Sequence, residues 1–221
     1  MTYPDHMAQE RLWNANIHYH RILLDALPPA TQRVLDVGCG NGLLATALIE
    51  AGVRHMVAID SDAGVLERAK ARQSSRAIAW LHGDVLDSHA TIDGQFDAVL
   101  SVATLHHMNA AAGLSRLAEL AQPGGLVGVI GLAANDWWDA PYAAFGQLVR
   151  RAVSVRRGHW EHSAPMTWPP PETYRGMKRI AGQLLPGVRY KRHLYSRYSL
   201  LWTKTSLLSW IILYNGAPCR G

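Results

Sequence analysis

Short apolar runs alternate with amphipathic stretches along most of the chain. Val34-Leu35-Asp36-Val37, Val57-Ala58-Ile59, Ala77 to Leu81, Phe96 to Val102 and Leu126 to Leu132 have the length and bounding turns of buried strands. Between them lie helix-like segments, among them Leu43 to Ala51 and a run from the capping pair Ser61-Asp62 to Ala71. Such alternation predicts an α/β fold, a parallel sheet covered on both faces. The opening segment reads as a helix from about Ala8 to Leu27, with Leu12, Trp13, Ile17, His20, Leu23, Leu24 and Leu27 near one stripe. Pro28-Pro29 stops it, and His20 reads as a core histidine.

The first strand runs straight into Gly38-Cys39-Gly40-Asn41-Gly42 and then into a helix. A strand, glycine loop and helix in that order let backbone approach a nucleotide-like ligand closely. A dinucleotide fingerprint would need glycine at position 43, where Leu43 stands. Asp36, directly before the loop, narrows the choice further. Its carboxylate would repel a pyrophosphate and attract an ammonium group, which suggests a nucleoside carrying an amino acid.

These residues resemble the first motif, hh-D-hG-x-G-x-G, of the class I S-adenosylmethionine-dependent methyltransferases. Further stations follow in the same order: Val57-Ala58-Ile59-Asp60, then His82-Gly83-Asp84-Val85, then the fourth strand leading to Ala103-Thr104-Leu105-His106-His107-Met108, then Pro123-Gly124-Gly125 before the fifth strand. The resemblance covers roughly residues 32 to 133, and Arg192 to Trp202 is similar to the last strand pair of small bacterial members. It implies a Rossmann-like, doubly wound seven-stranded sheet, mostly parallel with one antiparallel closing strand, and helices on both faces. It also implies one methyltransferase domain over residues 1–221: a helical lid (1–30), a cofactor core (31–133), a substrate cap (134–186), a closing strand pair (187–205) and a tail (206–221).

The cofactor so implied is S-adenosyl-L-methionine, held by Asp36, Gly38, Cys39, Gly40, Asn41, Asp60, Ser61, Asp84, Val85 and Ala103, with Tyr19 of the preceding helix closing over its methionine end. In the family pattern Asp60 takes both ribose hydroxyls, while Asp84 and the backbone of Val85 meet the adenine. Structural alternatives stand beside these roles: Asp60 as a helix cap, Asp84 as an Asx-turn acceptor, and Trp13, Asn14, Asn16, His18 and Tyr19 as ordinary packing residues. Asp97, at the start of the fourth strand, reads as a structural turn acceptor.

His106 and His107 are the candidate catalytic bases, because they follow a strand whose carboxyl end opens onto the crevice and histidine titrates near neutrality. Adjacent residues leaving a strand point apart, so one of them, His107, is expected to face the substrate. Metal binding by this pair is disfavoured, since no carboxylate joins them. The long stretch 134–186 carries Trp137, Trp138 and Tyr142, which with Trp13 of the opening helix are candidate contacts to a small-molecule acceptor, although aromatics in that stretch could equally form the cap's own small core.

Composition trims the remaining classes. With 221 residues and 48% hydrophobic content the chain is long enough for one sizeable domain core and too short for two full ones. The N-terminus lacks a basic-then-apolar signal, and the two cysteines, Cys39 and Cys219, do not form a disulfide framework, so a cytoplasmic setting is expected. The apolar run Ser206 to Tyr214 is too short to span a bilayer. The net charge of +5 is concentrated after position 150, where only Glu161 and Glu172 oppose the arginines and lysines. Nucleic acid is disfavoured as a partner, because no Asp/Asn-Pro-Pro-aromatic motif or Pro-Cys pair follows the fourth strand; Asp139-Ala140-Pro141-Tyr142 comes after the fifth. The oligomeric state is not legible. The expected function is methyl transfer to an oxygen, nitrogen or carboxylate of a small molecule. The alternatives are a non-catalytic cofactor binder, or a methyltransferase using its basic half on nucleic acid or protein.

Overall fold

Seven strands hydrogen-bond into one sheet in the computed structural model, which describes residues 14–87, 92, 94–157 and 169–205. They are β1 (Arg33–Val37), β2 (His55–Asp60), β3 (Ile78–His82), β4 (Phe96–Val102), β5 (Ala121–Gly131), β6 (Arg189–His193) and β7 (Arg197–Thr203), in the order β3-β2-β1-β4-β5-β7-β6. The first five are parallel, and β7 alone runs against both its neighbours. This is the doubly wound sheet with one antiparallel closing strand that the sequence implies. Strand order reverses between β1 and β4, and at such a switch point the loops part and leave a crevice beyond the carboxyl ends.

Alternation along the strands sends side chains to two separate cores. Val34, Ala58, Leu100 and Ile130 turn to one face, where Tyr19 and Leu23 of α1 (Ala15–Leu24), Leu44 and Leu48 of α2 (Leu43–Glu50) and Leu66 of α3 (Ala63–Arg72) pack. Leu35, Val37, Val99, Val127 and Val129 turn to the other. There they meet Leu114 and Leu117 of α4 (Ala110–Leu120) and, beyond α5 (Ala140–Arg157), Met177 and Ala181 of α6 (Tyr174–Leu184). Each buried Val, Leu, Ile or Met among them contributes about 1.5–3 kcal/mol, so these contacts hold the layers more firmly than helix propensity can.

Several expectations need correction. A single helix from Ala8 to Leu27 is not formed: Asn14 is extended, and its side chain accepts hydrogen bonds from the backbone nitrogens of Asn16 and Ile17, so α1 starts at Ala15. Residues 1–13, including Leu12 and Trp13, lie outside the described residues. The Pro123-Gly124-Gly125 turn is not a boundary but a bulge inside β5, whose pairing with β4 jumps from Phe96–Ala121 to Ala98–Leu126. Asp97 is structural as expected, but not as a local turn acceptor. One oxygen accepts from the nitrogens of Gln32 and Arg33 and the other from Gln122, which ties β1, β4 and β5 together.

The stretch expected to be a substrate cap divides. Its later part, α6, is a sheet-covering helix whose Tyr174, Met177 and Ala181 enter the core. Its earlier part, α5, lies over the turn between β6 and β7: Tyr142 covers Arg192, and a Cβ at Gly146 would be 3.7 Å from the nitrogen of Tyr195. Trp160, Trp168 and the apolar run 206–214 lie outside the described residues. Among the described residues no helix is long and apolar enough to cross a membrane.

Candidate active site

A cavity of about 420 Å³ opens at the carboxyl ends of β1, β2 and β4, where the glycine loop, the Asp60 turn, the Asp84 turn and the histidine pair converge. Gly38 has φ +69, and a Cβ there would collide with Thr104, whose hydroxyl donates to the Gly38 carbonyl at 3.3 Å. Here only glycine lets the loop pack against the β4 turn. Gly40 differs: it too has φ +53, but nothing lies within 4 Å of its would-be Cβ. That open space faces the cavity and suits close approach by a ligand.

Asp60 ends β2 and organises this loop. Its Oδ2 accepts from the Gly40 nitrogen at 2.8 Å and its Oδ1 from the Asp62 nitrogen at 3.0 Å. The capping alternative falls to its neighbour Asp62, which accepts from Val65 and starts α3. Each Asp60 oxygen retains a second lone pair, and the carboxylate lines the cavity, so the geometry suits a vicinal diol.

Asp36 is one residue short of the loop and shares strand parity with Val34, so it points toward the α1–α2 side. It is 1% exposed, and its Oδ2 has no hydrogen-bond partner among the described residues. Burial first, and the Asp60 charge second, push its carboxyl up to about 7. A buried acceptor left unpaired costs about 1–3 kcal/mol, and an ammonium group brought into this cavity would satisfy both its hydrogen bond and its charge. The residues therefore fit the amino-acid end of S-adenosylmethionine.

Cys39, Asn41, Ser61 and Val85 line the cavity. The Cys39 thiol is pushed up by burial and by Asp36 and Asp60, which keeps it protonated and inert. Asp84 makes the Asx turn, its Oδ1 accepting from the Leu86 nitrogen at 2.9 Å, and it also lines the cavity. The Val85 carbonyl accepts from Arg116 Nε at 3.1 Å, which fixes that wall. Ala103 takes φ +54, a conformation that costs a non-glycine residue about 1–2 kcal/mol. Strain of this kind collects at functional sites, and here it bends the chain from β4 into a one-turn 3-10 helix, Leu105–His107.

That turn overturns the expectation that His106 and His107 point apart. They are not on a strand; the tight turn sets their rings 4.0 Å apart, and both line the cavity. His106 is buried and His107 exposed. Burial lowers the His107 pKa, with Asp60 opposing. A neutral imidazole is therefore available at the rim.

Tyr19 does not line the cavity. It is packed in the core with its hydroxyl donating to the Leu194 carbonyl at 2.9 Å, because the Asn14 cap sets the phase of α1 and turns this position toward the β6–β7 turn. Trp137 is 83% exposed, and Tyr142 lies over Arg192, so neither reaches the cavity; nothing is described of the Trp138 side chain. In their place stand residues that sequence reasoning did not put there: His20, Ile17, Met108, Leu132 and Arg197. Arg197 is held by Asn16 Oδ1 at 2.9 Å and by the carbonyls of Tyr195 and Ser196. His20 is buried as expected of a core residue, its pKa lowered to about 4, yet it forms part of the wall. Its place on the apolar stripe of α1 is the sequence signal for this position. Among the described residues no cluster could hold a metal ion.

Comparison with known proteins agrees with this geometry. Residues 34–125 match a family model described as a methyltransferase domain. An uncharacterised methyltransferase of Mycobacterium tuberculosis is 42% identical over 196 residues, spanning 86% of this chain and 96% of its own. A demethylmenaquinone methyltransferase of Beutenbergia cavernae is 32% identical over 140 residues, 62% of this chain and 53% of that one. Among solved structures, human N-acetylserotonin methyltransferase in complex with S-adenosylmethionine shares the fold, with a TM-score of 0.58 at 18% identity over 86% of this chain and 52% of its own. The order of strands, the glycine loop with its two carboxylates and a relative matched along nearly its whole length agree: the chain belongs to the class I S-adenosylmethionine-dependent methyltransferases.

Proposed function

We propose that this enzyme transfers the methyl group of S-adenosylmethionine to an oxygen, nitrogen or carboxylate of a small-molecule acceptor. The observation that carries the reading is the buried Asp36 carboxyl, whose Oδ2 has no hydrogen-bond partner among the described residues, in a cavity shared with the Asp60-tethered glycine loop. When bound, the cofactor supplies a sulfonium-activated methyl group that an acceptor lone pair takes by in-line displacement. Asp36 holds the ammonium, Asp60 the ribose, and Asp84 with Val85 the adenine edge. Ile17, Met108 and Leu132 exclude water around the acceptor, and alignment in a dry site does most of the acceleration. His107 takes a proton when the acceptor arrives protonated, since it is neutral and at the cavity rim. The named acceptor of the Beutenbergia relative supports a small molecule over a macromolecule.

A panel of phenols, amines and carboxylates assayed for cofactor-dependent methyl transfer tests the reading. Turnover with one class identifies the acceptor atom. Tight cofactor binding without turnover on any small molecule, accompanied by methylation of protein or RNA, would reject it.

A further inference from the structure

We propose that α5 and the turn before it dock on the surface of an anionic lipid bilayer beside the mouth of the cavity. Pro141, Ala144, Phe145 and Leu148 fall at i, i+3, i+4 and i+7 of α5, so they form one apolar stripe, and all four are exposed, Phe145 by 57% and Leu148 by 67%. Trp137, 83% exposed, precedes the stripe in the adjoining 3-10 turn. A helix of a water-soluble enzyme normally turns such a stripe inward. Here the inner side is occupied by Tyr142 over Arg192 and Gly146 against Tyr195, so the stripe has nothing of the described chain to bury against.

Charge selects the occupant. The α5 sequence contains Arg150, Arg151, Arg156 and Arg157 and no acidic residue, and Lys178 and Arg179 on α6 and Arg189 and Lys191 on β6 are exposed. An apolar stripe on a purely basic helix is the composition of interfacial helices that sit among anionic headgroups. A second copy of the chain would bring like charges together, and a nucleic acid would leave the stripe in water. The described chain leaves β7 with Lys204 bonded to the carbonyls of Ala118 and Ala121, at the end of the sheet opposite the β6–β7 turn. Arg197 of the cavity wall follows directly on that turn, so docking through α5 would set the cavity mouth at the lipid surface.

Co-sedimentation of the full chain with vesicles tests this without cofactor, so its outcome is independent of the methyl-transfer reading. Binding is expected to phosphatidylglycerol-rich vesicles, not to phosphatidylcholine alone, and is expected to weaken as salt rises. The double variant Phe145→Ser, Leu148→Ser should bind about tenfold more weakly or worse, as should Arg150→Glu, Arg151→Glu, with melting temperature unchanged. Absence of binding to anionic vesicles would overturn the proposal, and so would apolar variants that bind like wild type. A dimer seen by sedimentation equilibrium and dissolved by the apolar variants would assign the face to a second copy instead.

Discussion

Asp36→Asn should make the cofactor-free enzyme more stable and its binding worse. In the fold this carboxyl is raised from 3.8 to about 7, chiefly by burial. Over roughly three pH units at 1.36 kcal/mol each, the ionised form costs the fold on the order of 4 kcal/mol. An asparagine has the same shape but buries its own amide, so a net gain of about 2 kcal/mol is expected, a rise in Tm of about 4–8 °C for a chain of this size. The sign follows from proton counts. Between about pH 4 and pH 7 the folded protein holds a proton that the unfolded chain has lost, so this group's contribution to stability falls as pH rises through that window and is level above it. The gain from asparagine should therefore be largest near pH 8 and fade toward pH 4. Calorimetric melts across that range measure it, and titration with S-adenosylmethionine at about pH 8 should show at least tenfold weaker binding from loss of the counter-charge. A Tm that is unchanged or lower near pH 8, or a gain that does not vary with pH, would refute the reasoning.

Asp60→Ala should weaken cofactor binding by about 1.5–3 kcal/mol by calorimetry, and should speed hydrogen exchange at the Gly40 amide it holds; unchanged affinity would remove it from the ribose site. Gly40→Ala meets no clash but keeps a left-handed φ, so it should cost about 1–2 kcal/mol in stability and much more in cofactor affinity; normal affinity would show that the open space is not used. His107→Gln should lower turnover about 10²–10⁴-fold with cofactor affinity little changed, provided the acceptor arrives protonated. Because its pKa is lowered, the rising limb of the wild-type pH–rate profile should fall below the ordinary histidine value, and a variant that keeps this limb is not missing its base.

The parts of the site that were legible in sequence are those whose chemistry is local. Asp36, Gly38, Gly40 and Asp60 are fixed by the ends of adjacent parallel strands, so their spacing along the chain already states their geometry. Tyr19 was misread because helix phase is set by a cap: once Asn14 starts α1 at Ala15, position 19 faces the β6–β7 turn while Asn16, Ile17 and His20 face the cavity. The histidines were misread because a 3-10 turn replaced extended chain after β4. Arg197 was seen only as one of many basic residues, for its place depends on a contact with Asn16, which no local pattern encodes.

That contact joins residues 181 apart and builds one wall of the site from the two ends of the described chain, with the Tyr19 hydroxyl on the Leu194 carbonyl tying the same two segments together behind it. On a ribosome, Asn16 would wait roughly 10–40 s for its partner at ordinary elongation rates. The five parallel strands and the glycine loop could assemble in that interval, leaving a sheet with Asp36 in place but the pocket unwalled. The nascent chain thus lacks the Asn16–Arg197 part of the cavity wall until β7 is made, so any ligand that leans on that wall stabilises chains stalled before β7 less than it stabilises the finished fold.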